Sequence, residues 1–133
     1  MKILMSAVLG AAVLAGPAMA RVSLSEDAHI NASLLAVSVG DEIRNECDDI
    51  SARMFVVFTK GKALETYALN LGYTNDELKE FVKSKKERAR MKALRDAYLK
   101  KGGVKKGDSA SYCKLGQKEI ADDSLTGQLL RSR

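Results

Sequence analysis

The two cysteines are the residues of this sequence whose types and spacing define a chemistry most sharply. Cys47 and Cys113 lie 66 positions apart in a chain of 133 residues. In an oxidising compartment an even number of cysteines indicates disulfide bonding, and two cysteines allow one intramolecular pairing. A redox-active pair is the alternative, but the sequence lacks the C-x-x-C motif that is typical of such pairs. We therefore predict a structural disulfide between Cys47 and Cys113.

The compartment is indicated by residues 1–20. Lys2 provides a positive charge, residues 3–15 form an apolar run, and the small residues Ala18 and Ala20 lie at the end of the segment. This order is typical of a secretory signal peptide and predicts cleavage between Ala20 and Arg21. The run is shorter than the roughly 20 apolar residues of a membrane-spanning helix. We therefore expect an exported protein, periplasmic or secreted, with no transmembrane span after cleavage. An uncleaved anchor is the alternative.

Positive charge is concentrated in residues 79–106, which hold twelve Lys or Arg and three acidic residues, whereas the whole chain has a formal net charge of +5. Such a segment could bind an acidic protein, phospholipid headgroups or another envelope component. Nucleic acid is not expected, because the segment lacks interleaved aromatic residues for base stacking. The alternative is a solvated helix face that pairs in part with the acidic side chains at 41–49. The candidate basic patch consists of Lys83, Lys85, Lys86, Arg88, Arg90, Lys92 and Arg95.

The sequence shows no catalytic, cofactor-binding or metal-binding signature. His29 is the only histidine, which excludes a zinc site with several histidines in one chain, and we expect it to be exposed at the start of a helix. Ser111 to Lys114 matches S-x-x-K without its companion motifs, and Gly61-Lys62 lacks the upstream glycine of a phosphate loop. The acidic residues at 41–49 do not have calcium-loop spacing. We therefore predict no catalytic residue, cofactor or metal, and a protein that is not an enzyme.

The elements that must position these residues are predicted to be helices. Residues 21–133 contain no proline and are rich in Ala, Leu, Lys and Glu. After an extended lead-in over residues 21–28, apolar residues spaced three and four apart predict helices over about 30–48 and 51–71. The second helix is expected to be buried. Its predicted apolar face consists of Ile50, Met54, Val57, Phe58, Gly61, Leu64, Ala68 and Leu71.

A capping box at Thr74–Glu77 predicts a third helix that runs to about Lys101. The apolar face of this segment changes side, so we expect a break near Ser84–Glu87. Asp108 is expected to begin a fourth helix, and Ser124 a short last helix that carries Leu125, Leu129 and Leu130. The sequence thus predicts an all-α fold: a single domain over residues 21–133 that forms a small bundle of four to five helices stapled by one disulfide.

Three runs of the sequence carry a resemblance to a known family. They are residues 48–54, 71–73 and 111–113, and the similarity extends over nearly all of the chain after residue 20. The chain resembles a family of small exported bacterial proteins described as a domain of unknown function. The resemblance implies export and paired cysteines, and it implies no activity.

These features favour a non-enzymatic periplasmic binding or interaction module that presents a basic helix to an acidic partner. One alternative is a small periplasmic stress chaperone, which would expose its core at low pH. Another is an inhibitor or immunity protein for a secreted toxin. The identity of the partner and the oligomeric state are not defined by these patterns.

Overall fold

Residues 21–133 are described by the structure, a computed structural model, and they form five α-helices and one two-stranded antiparallel sheet. The predicted signal peptide, which ends at Ala20, lies outside the described residues. The helices are α1 (Ala28–Glu46), α2 (Met54–Asn70), α3 (Asn75–Lys83), α4 (Lys85–Lys101) and α5 (Ser109–Ala121). The strands are β1 (Ile50–Ala52) and β2 (Leu130–Ser132), and a 3-10 helix over Gly127–Leu129 precedes β2. The predicted helical class is confirmed.

Helix α1 lies at the centre of the main hydrophobic core. It begins at Asp27, whose carboxylate accepts a hydrogen bond from the Ile30 amide at 2.8 Å and so caps the helix. Side chains four positions apart share a helix face, and Val39 and Ile43 are fully buried on this one. Helices α4 and α5 both pack against α1. The core consists of Val39, Ile43, Cys47, Ile50, Leu99, Tyr112, Leu115 and Leu130.

The predicted disulfide between Cys47 and Cys113 is confirmed. It joins the residue that ends α1 to the second turn of α5, with the two Cα atoms 5.2 Å apart. The sulfur of Cys47 belongs to the main core, because this residue is fully buried there. The bridge therefore fixes the contact between α1 and α5 from inside the core.

The predicted break in the third helical segment is also confirmed. Ser84 ends α3 and caps α4, because its hydroxyl accepts a hydrogen bond from the Glu87 amide at 3.4 Å. The capping box of α3 is present: the Thr74 hydroxyl accepts from the Glu77 amide, and the Glu77 carboxylate accepts from the Thr74 amide. Two separate helices can therefore pack at different angles. This explains why the apolar face changes side along this segment of the sequence.

The small sheet was not predicted, and it corrects the expectations at two places in the chain. Residues 50–52 were assigned partly to the second helix and Leu130 to a last helix, whereas they form β1 and β2, with Ser51 opposite Arg131. The buried side chains of Ile50 and Leu130 hold the two strands against the core. The partner strands are about 80 residues apart, so no local pattern could reveal the pairing. Ser124 does not cap a last helix as predicted, because the 3-10 helix begins at Gly127 with Thr126 as its N-cap. The Ser124 hydroxyl accepts a hydrogen bond from the Gly127 amide at 2.9 Å.

The lead-in over residues 21–28 is not simply extended as predicted. It contains a turn in which the Glu26 amide donates to the Ser23 carbonyl at 2.9 Å, and Leu24 is buried. Leu24 belongs to a second, smaller core with Ile30 and Ala68. Burial of Leu24 requires the chain to turn back towards α1 and α2, and that requirement overrides the extended conformation.

Arg21, the first described residue, is bound at the corner between α2 and α3. Its guanidinium donates to both carboxylate oxygens of Glu77 at 2.9 and 3.1 Å and to the Gly72 carbonyl at 2.5 Å. The guanidinium carbon also lies 4.4 Å from the centre of the Tyr73 ring, a cation–π distance. Hydrogen bonds from Arg21 and from the Thr74 amide lower the pKa of Glu77 to about 2.

The expectation that α2 is a buried helix is wrong. The segment is helical as predicted, but Ala68 is its one fully buried residue. Met54, Phe55 and Phe58 are 66%, 83% and 65% exposed. The helix carries apolar side chains on more than one side, and its neighbours cover only the side that includes Ala68. The main core is filled instead by residues of α1, α4, α5 and the sheet.

Candidate functional site: an apolar groove beside the lysine-rich helices

An open apolar groove of about 360 Å³ lies between α1, α2 and α3. Val37 on α1 and Val82 on α3 line it and are 45% and 52% exposed. Such large apolar side chains are normally covered, and a concave apolar surface is the usual form of a binding site. The apolar side chains that line the groove are Leu24, Ile30, Leu34, Val37, Leu64, Ala68, Leu78, Phe81 and Val82.

The groove continues along α1. A neighbouring depression of about 240 Å³, between α1, α3 and α4, shares Leu34, Val37, Phe81 and Val82 with it. Val37 also lines two smaller depressions on the other side, of about 190 and about 100 Å³, next to α2 and β2. The exposed side of α1 is therefore the floor of a continuous apolar depression with Val37 near its middle.

Carboxylates beside the groove are already paired within the chain. Glu65, which lines the main groove, lies 3.2 Å from the Lys62 ammonium. In the neighbouring depression Asp41 pairs with Arg44 at 2.6 Å, and Glu87 pairs with Arg90 at 2.8 Å. The negative charges of the lining are therefore largely neutralised.

Two cations of the lining have no such partner. Among residues 21–133, neither Lys79 of the main groove nor Arg88 of the neighbouring depression has a carboxylate within ion-pair distance. The Arg88 Nε instead donates to the Val82 carbonyl at 3.2 Å, which places the guanidinium at the junction of α3 and α4. The rim of the depression therefore carries unbalanced positive charge next to an apolar floor.

The structure divides the predicted basic patch into three groups. Arg90 and Arg95 hold α4 against α1, since Arg90 donates to the Asn31 amide oxygen at 2.7 Å and Arg95 lies 3.4 Å from the Glu42 carboxylate. Arg88 lines the depression. The remaining members are exposed and form no ion pair within the described part of the chain. They are Lys83, Lys85, Lys86 and Lys92.

The groove itself was not predicted. The sequence spacing places Leu78, Phe81 and Val82 on one apolar face of α3, but it does not reveal that α2 leaves this face uncovered. Lys79 was counted with the basic segment and not assigned to the patch. The available signal was an excess of apolar residues on α2, which indicates more apolar surface than one small core can bury.

The buried carboxylate of Glu119 links helices α4 and α5. Glu119 is almost fully buried, and its carboxylate accepts hydrogen bonds from the Tyr98 hydroxyl, at 2.6 Å, and from the Ser124 hydroxyl. Burial and the neighbouring carboxylate raise the pKa of Tyr98 to about 12. Both carboxylate oxygens have a donor, so the group is satisfied and joins α4 to α5.

The other residues considered for chemistry are not assembled into a site. His29 is exposed, as expected. The centre of its ring lies 4.6 Å from the centre of the Tyr67 ring, and the two rings meet edge to face. The Asp49 carboxylate lies close to both cysteine sulfurs, but the disulfide leaves neither sulfur as a thiolate that could bind a metal.

Over residues 21–133, none of the helices combines the length and the hydropathy that crossing a bilayer requires. No curated protein and no solved structure shows significant similarity to the chain. One family model matches residues 22–131, which is nearly the whole described segment. The protein therefore belongs to the family of unknown function DUF5333.

Proposed function

We propose that this protein is an exported, non-enzymatic binding module that holds an acidic amphipathic segment of another protein in the groove between α1, α2 and α3. The proposal depends on one observation. The groove and the neighbouring depression that continues it have an apolar floor, and the carboxylates that line them are paired within the chain. Their cations Lys79 and Arg88 have no such partner among residues 21–133.

The lining of the main groove is suited to binding apolar side chains and offers few groups that could take part in a reaction. The polar side chains that line the main groove are Glu65, Asn75 and Lys79, and the lining includes no Ser, Cys or His. A volume of about 360 Å³ accommodates a few apolar side chains from one face of a helix. Amphipathic helices bind in this manner, with anchors at i, i+3, i+4 and i+7 lying in an apolar groove.

The charge pattern supports an acidic partner. Lys79 and Arg88 lie in the lining, and Lys83, Lys85, Lys86 and Lys92 are exposed on the same pair of helices. Charged residues around an apolar contact accelerate association and exclude partners of the same charge, and salt weakens their effect. We therefore expect binding that depends on both apolar contact and ionic strength.

A membrane surface is the alternative to an acidic protein segment as the anionic partner, and the geometry of the groove favours it less. The apolar side chains lie in a depression between helices, whereas an interfacial helix must place its apolar face outwards, above its basic residues. In this protein Val37 lies at the floor of the depression with α2 and α3 on either side of it.

The test is a photo-crosslinking experiment in cells that produce the protein. A photoreactive amino acid replaces Val82 in the groove and, as a control, Lys114, which is exposed on α5. We expect a covalent adduct from position 82 and none from position 114. The captured segment, identified by mass spectrometry, should be acidic and amphipathic.

Charge reversal separates a specific adduct from accidental contact. The double variant Lys79→Glu, Arg88→Glu should lose the adduct, whereas Lys105→Glu, in the loop after α4, should keep it. An adduct that survives the double variant, a captured segment without acidic residues, or no adduct from position 82 would each contradict the proposal. Flotation with anionic vesicles that is abolished by the same double variant would assign the groove to a membrane instead.

A further inference from the structure

The outer face of α2 is largely apolar and uncovered, and it borders the groove at Glu65, which lines both. Phe55 is 83% exposed and Phe58 is 65% exposed, with Met54 beside them. Two of the three phenylalanines of the chain therefore lie on the surface of one helix. An exposed aromatic pair of this kind marks an interaction surface.

The spacing on this face is that of a helix–helix seam. Phe55, Phe58, Lys62, Glu65 and Leu69 follow one another at intervals of three, four, three and four residues. This alternation places successive side chains along a single line that faces a partner helix. The seam is apolar at both ends and charged in the middle, where Lys62 and Glu65 lie 3.2 Å apart.

We propose that α2 forms a symmetric antiparallel pair with α2 of a second copy of this chain. A two-fold axis between residues 63 and 64 places Lys62 of one copy opposite Glu65 of the other. The same register places Phe58 opposite Leu69, which is also exposed. It brings Phe55 to the turn at Gly72, where the Arg21 side chain lies.

The charges favour the antiparallel arrangement over a parallel pair. In a parallel pair each Lys62 would face Lys62 and each Glu65 would face Glu65, and like charges at facing positions are unfavourable. In the antiparallel pair each Lys62 faces Glu65 of the other copy. The surface is therefore complementary to itself, as a two-fold interface requires.

The exposed area is compatible with a reversible dimer. A phenylalanine side chain presents roughly 150–250 Å² when uncovered, so Met54, Phe55 and Phe58 together offer about 400 Å² at their exposures of 66%, 83% and 65%. This is about half of the ~800 Å² per partner in a standard interface. Leu69 and the aliphatic stem of Lys62 extend the contact along the seam.

A membrane is a weaker candidate for this face. A face that enters the lipid boundary carries basic residues at its edges and avoids a carboxylate among its apolar residues. Glu65 lies within the seam and pairs with Lys62 there. The opposite charges in the middle of the seam match a second copy and add no net attraction to anionic lipid.

The test is the molar mass of the purified protein, with its disulfide intact, measured by sedimentation over a range of concentrations. We expect a concentration-dependent monomer–dimer equilibrium for the natural sequence. Phe58→Glu should give a monomer at all concentrations. Leu125→Glu, at an exposed leucine outside α2, should leave the equilibrium unchanged. Circular dichroism and thermal unfolding of each variant verify that it is folded.

Charge exchange tests the register. Lys62→Glu should weaken the dimer at least tenfold, because two carboxylates then face each other twice, and adding Glu65→Lys should restore it. A monomer for the natural sequence, a dimer that persists in Phe58→Glu, or no restoration in the double variant would each overturn the proposal. Binding of a monomer to vesicles through Phe58 would also overturn it and would assign this face to a membrane.

Discussion

Removal of the disulfide is the change whose effect on stability follows most directly from the structure. The bridge between Cys47 and Cys113 closes a loop of 66 residues, so it strongly restricts the unfolded chain. The loop-entropy relation gives about 4 kcal/mol for this length at 25 °C. Domains of this size are typically stable by about 5–15 kcal/mol, so the loss would be a large fraction of the total.

The experiment compares three forms of the protein by urea unfolding. These are the oxidised protein, the same protein after reduction, and the double variant Cys47→Ala, Cys113→Ala. The reduced protein keeps both sulfur atoms, so its loss of about 4 kcal/mol reports the loop alone. The double variant should lose about 1 kcal/mol more, because Cys47 is fully buried and its replacement leaves a small cavity.

Two results would refute this reasoning. If reduction changes the free energy of unfolding by less than about 1 kcal/mol, the loop model fails for this chain. If the double variant is much less stable than the reduced protein, packing of the sulfur atoms rather than restriction of the unfolded chain provides the stabilisation. The denaturant dependence of the free energy must be fitted separately for each form, because a cross-link also makes the unfolded state more compact.

Three further predictions concern single positions. Gly116→Ala should destabilise the protein by about 1–3 kcal/mol in urea unfolding, because the new Cβ would lie 2.3 and 2.7 Å from two buried isoleucine side chains; an unchanged midpoint would contradict the packing of α5 on α1. Gly61→Ala should stabilise α2 by up to about 1 kcal/mol, because a Cβ there meets no atom within 4 Å and alanine is the better helix former; a lower thermal midpoint would contradict this. Glu77→Gln should be less stable than the natural protein at neutral pH, since it loses the ion pair with Arg21. The folded pKa of Glu77 is lowered from 4.5 to about 2, so the pair stabilises the folded protein fully above pH 4.5. This stabilisation is lost as the pH falls through about 2, and thermal unfolding of the two proteins should converge below that pH. A difference that persists there would show that the charge of Glu77 is not its cause.

The parts of the fold that could be predicted depend on neighbours in the sequence or on a unique pairing. The capping box at Thr74 and the cap at Ser84 involve residues three positions apart, so the break between α3 and α4 was visible as a local pattern. Two cysteines allow one bridge, which fixed the contact between α1 and α5 without knowledge of the rest of the structure.

The parts that could not be predicted depend on distant partners. The strand at Ile50–Ala52 exists because residues 130–132 lie beside it, and three residues carry too little periodicity to be recognised alone. The exposure of Phe58 has the same origin: the sheet and α5 fill the core, and α2 is left with an apolar face that the sequence pattern assigns to the interior.

The candidate site shows the same division. The sequence located the positive charge correctly on α3 and α4, but it could not tell a structural arginine from a free lysine. Arg90 and Arg95 are used to hold α4 on α1 through Asn31 and Glu42, which lie 59 and 53 positions away. The apolar groove depends on three helices at once, and no single segment carries its pattern.

The binding of Arg21 at the corner of α2 and α3 has a consequence for the predicted cleavage after Ala20. Under the predicted processing, Arg21 would be the residue on the far side of the scissile bond, and proteases cut most readily where the backbone is accessible and loosely held. Once the corner has folded, the contacts of Arg21 with Glu77, Gly72 and Tyr73 hold the backbone on the Arg21 side of that bond. Under the predicted processing, cleavage would therefore be faster before this corner folds than after it.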